Sequence, residues 1–223
     1  MYRYRAVVFD LDGTLLDTLE DLTDSVNAAM EQFGCEKKTI EQVRNFVGNG
    51  IRKLIERCLD GGEAYPQFEA VFQAFKDDYN KNCRRKTQPY PGIVDMIRTL
   101  QEQGVKVAIV SNKADFAVKE LNEYYFKEFN LVAIGEREGI CRKPAPDTVF
   151  MALRELGAAK EDAVYVGDSD VDIMTAHNAG MPCISVLWGF RDRNFLNEHG
   201  ASAYAQDAEE LLHMLLEKEE SVV

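Results

Sequence analysis

The sequence predicts an α/β protein with a doubly wound, Rossmann-like parallel sheet as its core and an inserted domain of four helices. From residue 87 onwards, short apolar segments rich in β-branched residues alternate with amphipathic helical segments, which is the pattern of parallel sheets. Before that alternation, residues 19–86 contain helical patterns only, and four consecutive helices exceed what one crossover needs. We therefore predict a core domain at residues 1–17 and 87–223 and a helical domain at residues 18–86.

The first predicted strand, residues 5–9, alternates little and is rich in β-branched residues, as expected for a central strand buried on both faces. The inserted helices are predicted at residues 19–33, 39–46, 51–59 and 66–83. A proline- and glycine-containing loop at residues 87–92 then returns the chain to the core. The remaining helices are predicted at residues 93–103, 114–124, 147–156, 171–179 and 209–217, and the remaining strands at residues 105–110, 131–134, 163–166 and 183–187.

The composition is that of a globular protein, with 46% hydrophobic and 29% charged residues in a chain of 223. The formal net charge of −12 opposes binding to nucleic acid and to anionic membranes, and it repels phosphorylated substrates at long range. No signal segment or membrane-spanning run is evident, and the five scattered cysteines form no CxxC pair. We expect a cytoplasmic protein with free thiols.

Two carboxylates stand at the carboxyl end of the first strand. Asp10 follows the apolar residues directly, and Asp12 comes two positions later, before Gly13 and Thr14. In an extended chain, positions i and i+2 point the same way, so we expect both carboxylates to face one crevice at the carboxyl edge of the sheet. Two such groups repel each other unless a cation lies between them or one of them keeps its proton.

The ends of later strands supply the partners that these carboxylates need. Ser111 and Asn112 follow the second core strand, a loop supplies Lys143, and Asp168 follows the fourth core strand. A hydroxyl, a fixed cation and several carboxylates together can hold a phosphoryl group and a divalent metal. Because Mg²⁺ prefers oxygen ligands, Asp10 and Asp168 are suitable ligands for it.

These residues support the hypothesis of a two-step hydrolysis of a small, soluble phosphate ester. Asp10 would attack phosphorus to give an aspartyl-phosphate, which divides one difficult step into two. Asp12 would protonate the leaving oxygen and then deprotonate the water that hydrolyses the intermediate. Lys143 would neutralise phosphate oxygens, while Ser111 and backbone N–H groups would donate hydrogen bonds to them.

Four motifs in the chain resemble those of the haloacid dehalogenase superfamily, phosphatase branch, and they occur in the family's order. They are Asp10-Leu11-Asp12-Gly13-Thr14, Ser111-Asn112, Lys143-Pro144 and the segment from Gly167 to Asp172. Each motif alone is a weak signal, whereas the four together, each after a predicted strand or in a loop between strands, are specific. The resemblance implies the same catalytic roles and a Mg²⁺ cofactor.

The resemblance also implies roles for further residues. The backbone carbonyl of Asp12 would be a metal ligand beside Asp10 and Asp168. Gly13, Thr14 and Asn112 would help to bind the phosphate, together with Ser111 and Lys143, and Asp172 would support the site without touching the reacting atoms. The four inserted helices are similar to the family's C1 cap, a lid that closes over the site.

Within this branch the chain is most similar to bacterial phosphoglycolate phosphatases, through residues 46–50, 89–92, 111–113 and 188–191. Pyrophosphatases, nucleotidases and sugar-phosphate phosphatases share these features, so 2-phosphoglycolate is the first of several candidate substrates. A β-phosphoglucomutase-like phosphomutase would use the same motifs, and a phosphate-binding regulatory module would be expected to have lost one of them. A dehalogenase is disfavoured, because carbon–halogen cleavage needs neither a second carboxylate nor a metal. Residues 48–50 form either a simple turn or a set of N–H groups for a substrate anion.

Overall fold

The structure, a computed structural model, describes residues 2–218 of the chain. It divides into two compact units. One contains the chain up to Leu15 and from Pro89 onwards, and the other spans Leu16–Gln88. Among the described residues, no helix is both long enough and apolar enough to cross a membrane.

The strands and helices are numbered in chain order. The strands are β1 (Ala6–Phe9), β2 (Leu16–Asp17), β3 (Gln88–Pro89), β4 (Lys106–Ala114), β5 (Val132–Glu136), β6 (Ala163–Gly167), β7 (Cys183–Val186) and β8 (Tyr204–Ala205). The helices are α1 (Leu19–Gln32), α2 (Ile40–Phe46), α3 (Ile51–Cys58), α4 (Phe68–Asn82), α5 (Ile93–Glu102), α6 (Asp115–Tyr125), α7 (Asp147–Leu156), α8 (Asp170–Ala179), α9 (Arg193–Glu198) and α10 (Ala208–Leu215). Short 3-10 helices lie at Gly62–Ala64, Lys127–Phe129 and Lys160–Asp162.

Six strands form a parallel sheet in the order β5-β4-β1-β6-β7-β8, and the predicted doubly wound fold is confirmed. The chain passes from β1 outward through β4 to β5 and then returns to the other side of β1 to form β6. The order therefore reverses beside β1, and ligands of such sheets bind at this switch point, outside the carboxyl ends of the strands. Val8 of β1 lies opposite Ala108 on one side and Tyr165 on the other.

The core sits on both faces of this sheet because its central strands are apolar throughout. All four residues of β1 and all five of β6 are buried. On one face, α7 packs against β1, β4 and β5, while α8 packs against β6 and β7. Tyr165 belongs to this apolar cluster although its hydroxyl is polar, so that hydroxyl must find a partner within the protein.

The strand β4 is longer than the sequence predicts. It continues past Val110 to Ala114, and its pairing with β5 shifts register between these two residues. Ser111 and Lys113 therefore lie within an extended segment, two positions apart, and their side chains point to the same side. A bulge of this kind re-aims side chains near functional sites and leaves no period in the sequence.

Other differences from the predicted elements are small. The chain pairs β2 with β3 in a separate two-stranded sheet, and it forms β8 and α9 near the end of the core. These elements are too short to produce a recognisable hydrophobic period. Pro146 is the N-cap of α7, and the helix begins at Asp147, as predicted.

The unit Leu16–Gln88 consists of helices, as the absence of strand patterns predicts, apart from the short strand at each end. Its longest helices, α1 and α4, pack against each other, and α2 packs against α1 and α3. Thr39 and Gln42 form a capping box at the start of α2. Gly50 is the N-cap of α3, and Arg57 donates hydrogen bonds to the carbonyl of Phe46 (2.7 Å) and to Asn49 Oδ1 (2.7 Å). The loop before α3 is thus held by its own helix.

Candidate active site

Asp10 lies at the carboxyl end of β1, at the switch point of the sheet. Its backbone N–H donates to the carbonyl of Val166 (2.8 Å), so the pairing with β6 continues one residue beyond the strand. Its Oδ1 accepts a hydrogen bond from Lys143 Nζ at 2.8 Å. Burial raises the pKa of Asp10 well above its usual value, although the positive charge of Lys143 opposes the shift.

Lys143 is held by three acceptors. Its Nζ donates to Asp10 Oδ1 (2.8 Å), Asp172 Oδ1 (2.8 Å) and the hydroxyl of Tyr165 (3.1 Å). The side chain is only 3% exposed. Burial by itself lowers the pKa of Lys143, but the two carboxylates raise it well above its usual value. Lys143 is therefore a fixed cation beside Asp10.

Asp172 lies in the first turn of α8, and four protein donors occupy its two oxygens. Its Oδ1 accepts from Lys143 Nζ and from the Tyr165 hydroxyl (3.0 Å). Its Oδ2 accepts from the Ser169 backbone N–H (3.1 Å) and from Ser169 Oγ (2.6 Å). Asp172 thus acts on Asp10 through Lys143, and its orientation is fixed by the start of the helix.

Asp168 follows β6 and is buried beside the turn after β1. Its Oδ2 accepts from the Phe190 N–H (2.6 Å), and its Oδ1 accepts a long hydrogen bond from Thr14 Oγ1 (3.5 Å). Gly13 has a φ of +87°, and a Cβ there or on Gly189 would overlap Asp168. Glycine at both positions therefore makes room for this carboxylate.

The three buried aspartates Asp10, Asp168 and Asp172 form one cluster. Each offers an oxygen within 4.8 Å of the others, and the ammonium group of Lys143 contacts two of them, Asp10 and Asp172. Burial, with the charge of Asp172 added, raises the pKa of Asp168 to about 7. Such an all-oxygen, negatively charged set fits a hard divalent cation. Because Asp172 is fully engaged by other donors, Asp10 and Asp168 are the residues that would hold it.

Asp12 points to a different lysine. Its Oδ1 accepts from Lys113 Nζ (2.7 Å) and its Oδ2 accepts from Ser111 Oγ (3.3 Å). Its carboxylate is not part of the cluster of Asp10, Asp168 and Asp172. Asp10 and Asp12, which the sequence predicts to face one crevice, are thus each paired with a lysine of their own, Lys143 and Lys113 respectively.

The remaining predicted residues surround the same strand ends. Thr14 is fully buried, and its carbonyl accepts from Trp188 Nε1 (2.9 Å). Ser111 Oγ accepts from the Lys113 N–H (3.1 Å). Asn112 Nδ2 donates to the carbonyl of Lys143 (3.0 Å), so this amide nitrogen fixes the loop that carries the lysine. All the predicted site residues belong to the unit that contains the sheet.

The sequence interpretation gave no site role to Lys113 or Tyr165. Lys113 could have been found from its position, since it stands two residues after Ser111 and an extended chain places both on one side. Tyr165 could not have been found from its position, because it occupies an apolar position in a buried strand. Its hydroxyl is the group that contacts Lys143 and Asp172.

Comparison with known proteins identifies the family. The family model described as haloacid dehalogenase-like hydrolase matches residues 7–186 of the chain. The chain belongs to the haloacid dehalogenase-like hydrolase family. Phosphoglycolate phosphatase 1 of Pseudomonas aeruginosa is 33% identical to it over 214 residues, which cover 93% of this chain and 78% of the relative. As a member of this family with such relatives, the chain is an enzyme of the phosphatase class.

Two solved structures are similar to this chain over nearly its whole length. A candidate phosphoglycolate phosphatase from Lactobacillus delbrueckii subsp. bulgaricus has a TM-score of 0.93 and 38% identity, covering 98% of this chain and 100% of that one. CbbY from Rhodobacter sphaeroides, solved in complex with phosphate, has a TM-score of 0.76 and 26% identity, covering 95% of this chain and 96% of that one.

Proposed function

We propose that this phosphatase hydrolyses a small phosphate monoester, 2-phosphoglycolate first among the candidates, with Mg²⁺ and through an aspartyl-phosphate on Asp10. The observation that carries the proposal is the buried cluster of Asp10, Asp168 and Asp172 around Lys143 at the switch point of the sheet. The names of the relatives support the choice of 2-phosphoglycolate.

In the first step, an oxygen of Asp10 forms a bond to phosphorus while the bond from phosphorus to the ester oxygen breaks. Lys143 holds Asp10 in place and offsets the negative charge of the phosphoryl group. The hydroxyl of Ser111 and backbone N–H groups after β1 and β4 donate hydrogen bonds to phosphoryl oxygens. Asp10, Asp168 and the Asp12 carbonyl would hold Mg²⁺, which would supply the charge neutralisation that an anionic nucleophile needs when it approaches a phosphate dianion.

Asp12 moves the proton in both steps. It donates a proton to the ester oxygen as the alcohol leaves, and it then takes a proton from the water that attacks the aspartyl-phosphate. The water oxygen forms a bond to phosphorus and the bond to Asp10 breaks, which releases inorganic phosphate and regenerates both carboxylic groups. The separate partners of Asp10 and Asp12 support this division of roles.

A phosphate-release screen tests the proposal. We expect the purified enzyme with MgCl₂ to release inorganic phosphate from 2-phosphoglycolate with a higher kcat/KM than from pyrophosphate, nucleotides or sugar phosphates. A chelator should abolish the activity, and added Mg²⁺ should restore it. Turnover in excess chelator would contradict the metal requirement. Phosphate release only in the presence of a second sugar phosphate would indicate a phosphomutase instead.

The variant Asp10→Asn tests the nucleophile. An amide cannot form the acyl-phosphate, so kcat should fall by about 10³-fold or more while the fold is retained. Treatment of the wild type with substrate and rapid acid quenching should leave a phosphorylated chain, and the variant should carry no label. An Asp10→Asn protein with more than a tenth or so of the wild-type kcat would rule out this nucleophile.

A further inference from the structure

Two cationic side chains are buried among residues 2–218, those of Lys143 and Lys113. Lys143 is engaged by Asp10 and Asp172. Lys113 is 6% exposed and lies 2.7 Å from the carboxylate of Asp12, which is 15% exposed. A buried charge is unfavourable unless it is paired, so two separate buried lysines at one edge of the sheet require separate explanations.

The contact between Lys113 and Asp12 places the ammonium group of Lys113 near the leaving group of the substrate. In the proposed function, on which this inference rests, Asp12 gives its proton to the ester oxygen and therefore lies within a hydrogen bond of it. Lys113 contacts the same carboxylate. Because this contact is with Oδ1, the ammonium group lies within about two hydrogen-bond lengths, roughly 5.5 Å, of an ester oxygen that takes its proton from Oδ1. Lys143, in contrast, is held beside the nucleophile Asp10.

We propose that Lys113 is a specificity-determining residue that binds an anionic group on the leaving moiety of the substrate. The reach of roughly 5.5 Å suits an anion carried by the carbon next to the ester CH₂ group, as in the carboxylate of 2-phosphoglycolate. A longer leaving group would carry its anion past the ammonium group. Lys113 therefore selects short phosphate esters whose alcohol is a hydroxy acid.

The negative net charge of the protein explains why substrate binding would need the ammonium group of Lys113. With a formal net charge of −12, the chain repels a substrate that carries a carboxylate in addition to its phosphate more strongly than it repels a neutral-alcohol ester. A fixed, largely buried ammonium group reverses that preference locally, because charge–charge interactions are stronger away from bulk water. Ser111 Oγ, which accepts from the Lys113 N–H, fixes the backbone that carries it.

A pair of matched substrates tests the proposal. Ethyl phosphate has the same ester oxygen and CH₂ group as 2-phosphoglycolate, with a methyl group in place of the carboxylate. We compare the kcat/KM for 2-phosphoglycolate with the kcat/KM for ethyl phosphate. In Lys113→Gln, the first value divided by the second should fall roughly 10- to 100-fold relative to the wild type, which is the effect of losing one charge-assisted hydrogen bond. Because both rates come from one preparation, the ratio does not depend on the folded fraction.

Two further variants serve as controls. Lys113→Arg keeps the positive charge and should keep most of the preference for 2-phosphoglycolate. Lys119→Gln removes an exposed lysine that pairs with Asp115 on α6, and it should leave both rates unchanged. In the wild type, which needs no variant to fold, glycolate should inhibit competitively and ethanol at the same concentration should not.

The possible results distinguish a failure of the inference about Lys113 from a failure of the proposed function. If Lys113→Gln lowers both rates equally, Lys113 only orients Asp12 and the inference is wrong. If the wild type hydrolyses both esters equally well or is not inhibited by glycolate, the inference is also wrong, while a phosphatase remains. If the wild type hydrolyses other phosphate esters but neither of these two, the proposed substrate fails, and the inference fails with it.

Discussion

Lys143 shows how single residues decide the chemistry of this site. Its ammonium group donates hydrogen bonds to three buried acceptors. Two of these acceptors are carboxylate oxygens, of Asp10 and of Asp172. The third is the neutral hydroxyl of Tyr165, which also donates to Asp172. These hydrogen bonds keep the ammonium group in one position. A cation near a phosphoryl group must be held in this way, because it stabilises the transition state only when it is already correctly placed.

We expect Tyr165→Phe to keep the fold but weaken catalysis. The substitution removes one acceptor from Lys143 and one donor from Asp172, so the free energy of unfolding should fall by about 1–3 kcal/mol. The kcat should fall several-fold, while KM should change little, because the exact position of Lys143 stabilises the transition state more than it stabilises the bound substrate. Denaturant unfolding and phosphate-release kinetics measure the two effects.

Tyr204→Phe is the matched control for that variant. Tyr204 lies on the edge strand β8, and its hydroxyl donates to the carbonyl of Ala201 (2.8 Å). This control should lose stability without losing kcat. If Tyr165→Phe retains the full wild-type kcat, the hydroxyl plays no part in positioning Lys143.

At the scale of elements, the structure shows how the helical unit holds the ends of its own chain segment together. Asp21, in the first turn of α1, is 2% exposed, and its carboxylate accepts from the backbone N–H groups of Lys86 (3.0 Å) and Thr87 (2.8 Å). The beginning of the first helix is thus fixed to the segment that leaves the unit, 65 and 66 positions later. That the unit acts as a lid stays a prediction.

We expect Asp21→Ala to destabilise the protein by about 1–3 kcal/mol, because it leaves the N–H of the buried Thr87 without its acceptor. Urea unfolding measures the change. Asp24→Ala is the matched control on the same helix. Asp24 is exposed, and its carboxylate forms an ion pair with the exposed side chain of Lys86. Surface ion pairs contribute little, so this variant should unfold like the wild type, and equal losses in both variants would contradict the role of Asp21.

At the scale of the whole molecule, folding gathers acidic groups that lie far apart in the sequence. Asp10 follows β1 and Asp168 follows β6, and burial raises the pKa of Asp168 from 3.8 to about 7. In the unfolded chain the same carboxyl group titrates near its ordinary value. Between about pH 4 and pH 7 the folded protein therefore binds a proton that the unfolded chain does not.

This difference predicts how stability changes with pH and metal. With a chelator present, the contribution of Asp168 to stability is complete below about pH 4 and is lost as the pH rises through about 7. Bound Mg²⁺ favours the ionised carboxylate, so it should raise Tm more at about pH 8 than at about pH 5. Thermal unfolding in chelator and in MgCl₂ at both pH values measures the effect. In Asp168→Asn the pH dependence of the Mg²⁺ shift should shrink, because only Asp10 of the two carboxylates remains to lose its proton. An equal shift at both pH values in the wild type would contradict the linkage.

The sequence by itself determined the fold class and most of the candidate site. Periods of two and 3.6 residues are local properties, so they predicted the alternation of strands and helices that the parallel sheet confirms. Asp10, Lys143 and Asp168 could be identified because each follows a strand or stands in a loop between strands, where parallel sheets bring such residues together. The four motifs also identified the family correctly.

Only the tertiary structure decided which of these side chains meet. Lys143 lies 133 positions from Asp10, and Lys113 lies 101 positions from Asp12, and no local pattern states such pairings. They depend on which strands are neighbours, on the register shift in β4 and on the reach of Tyr165 from an apolar face. A sequence period specifies the face on which a side chain lies, but the partner on that face depends on strand order and register, which are set by packing across the whole core.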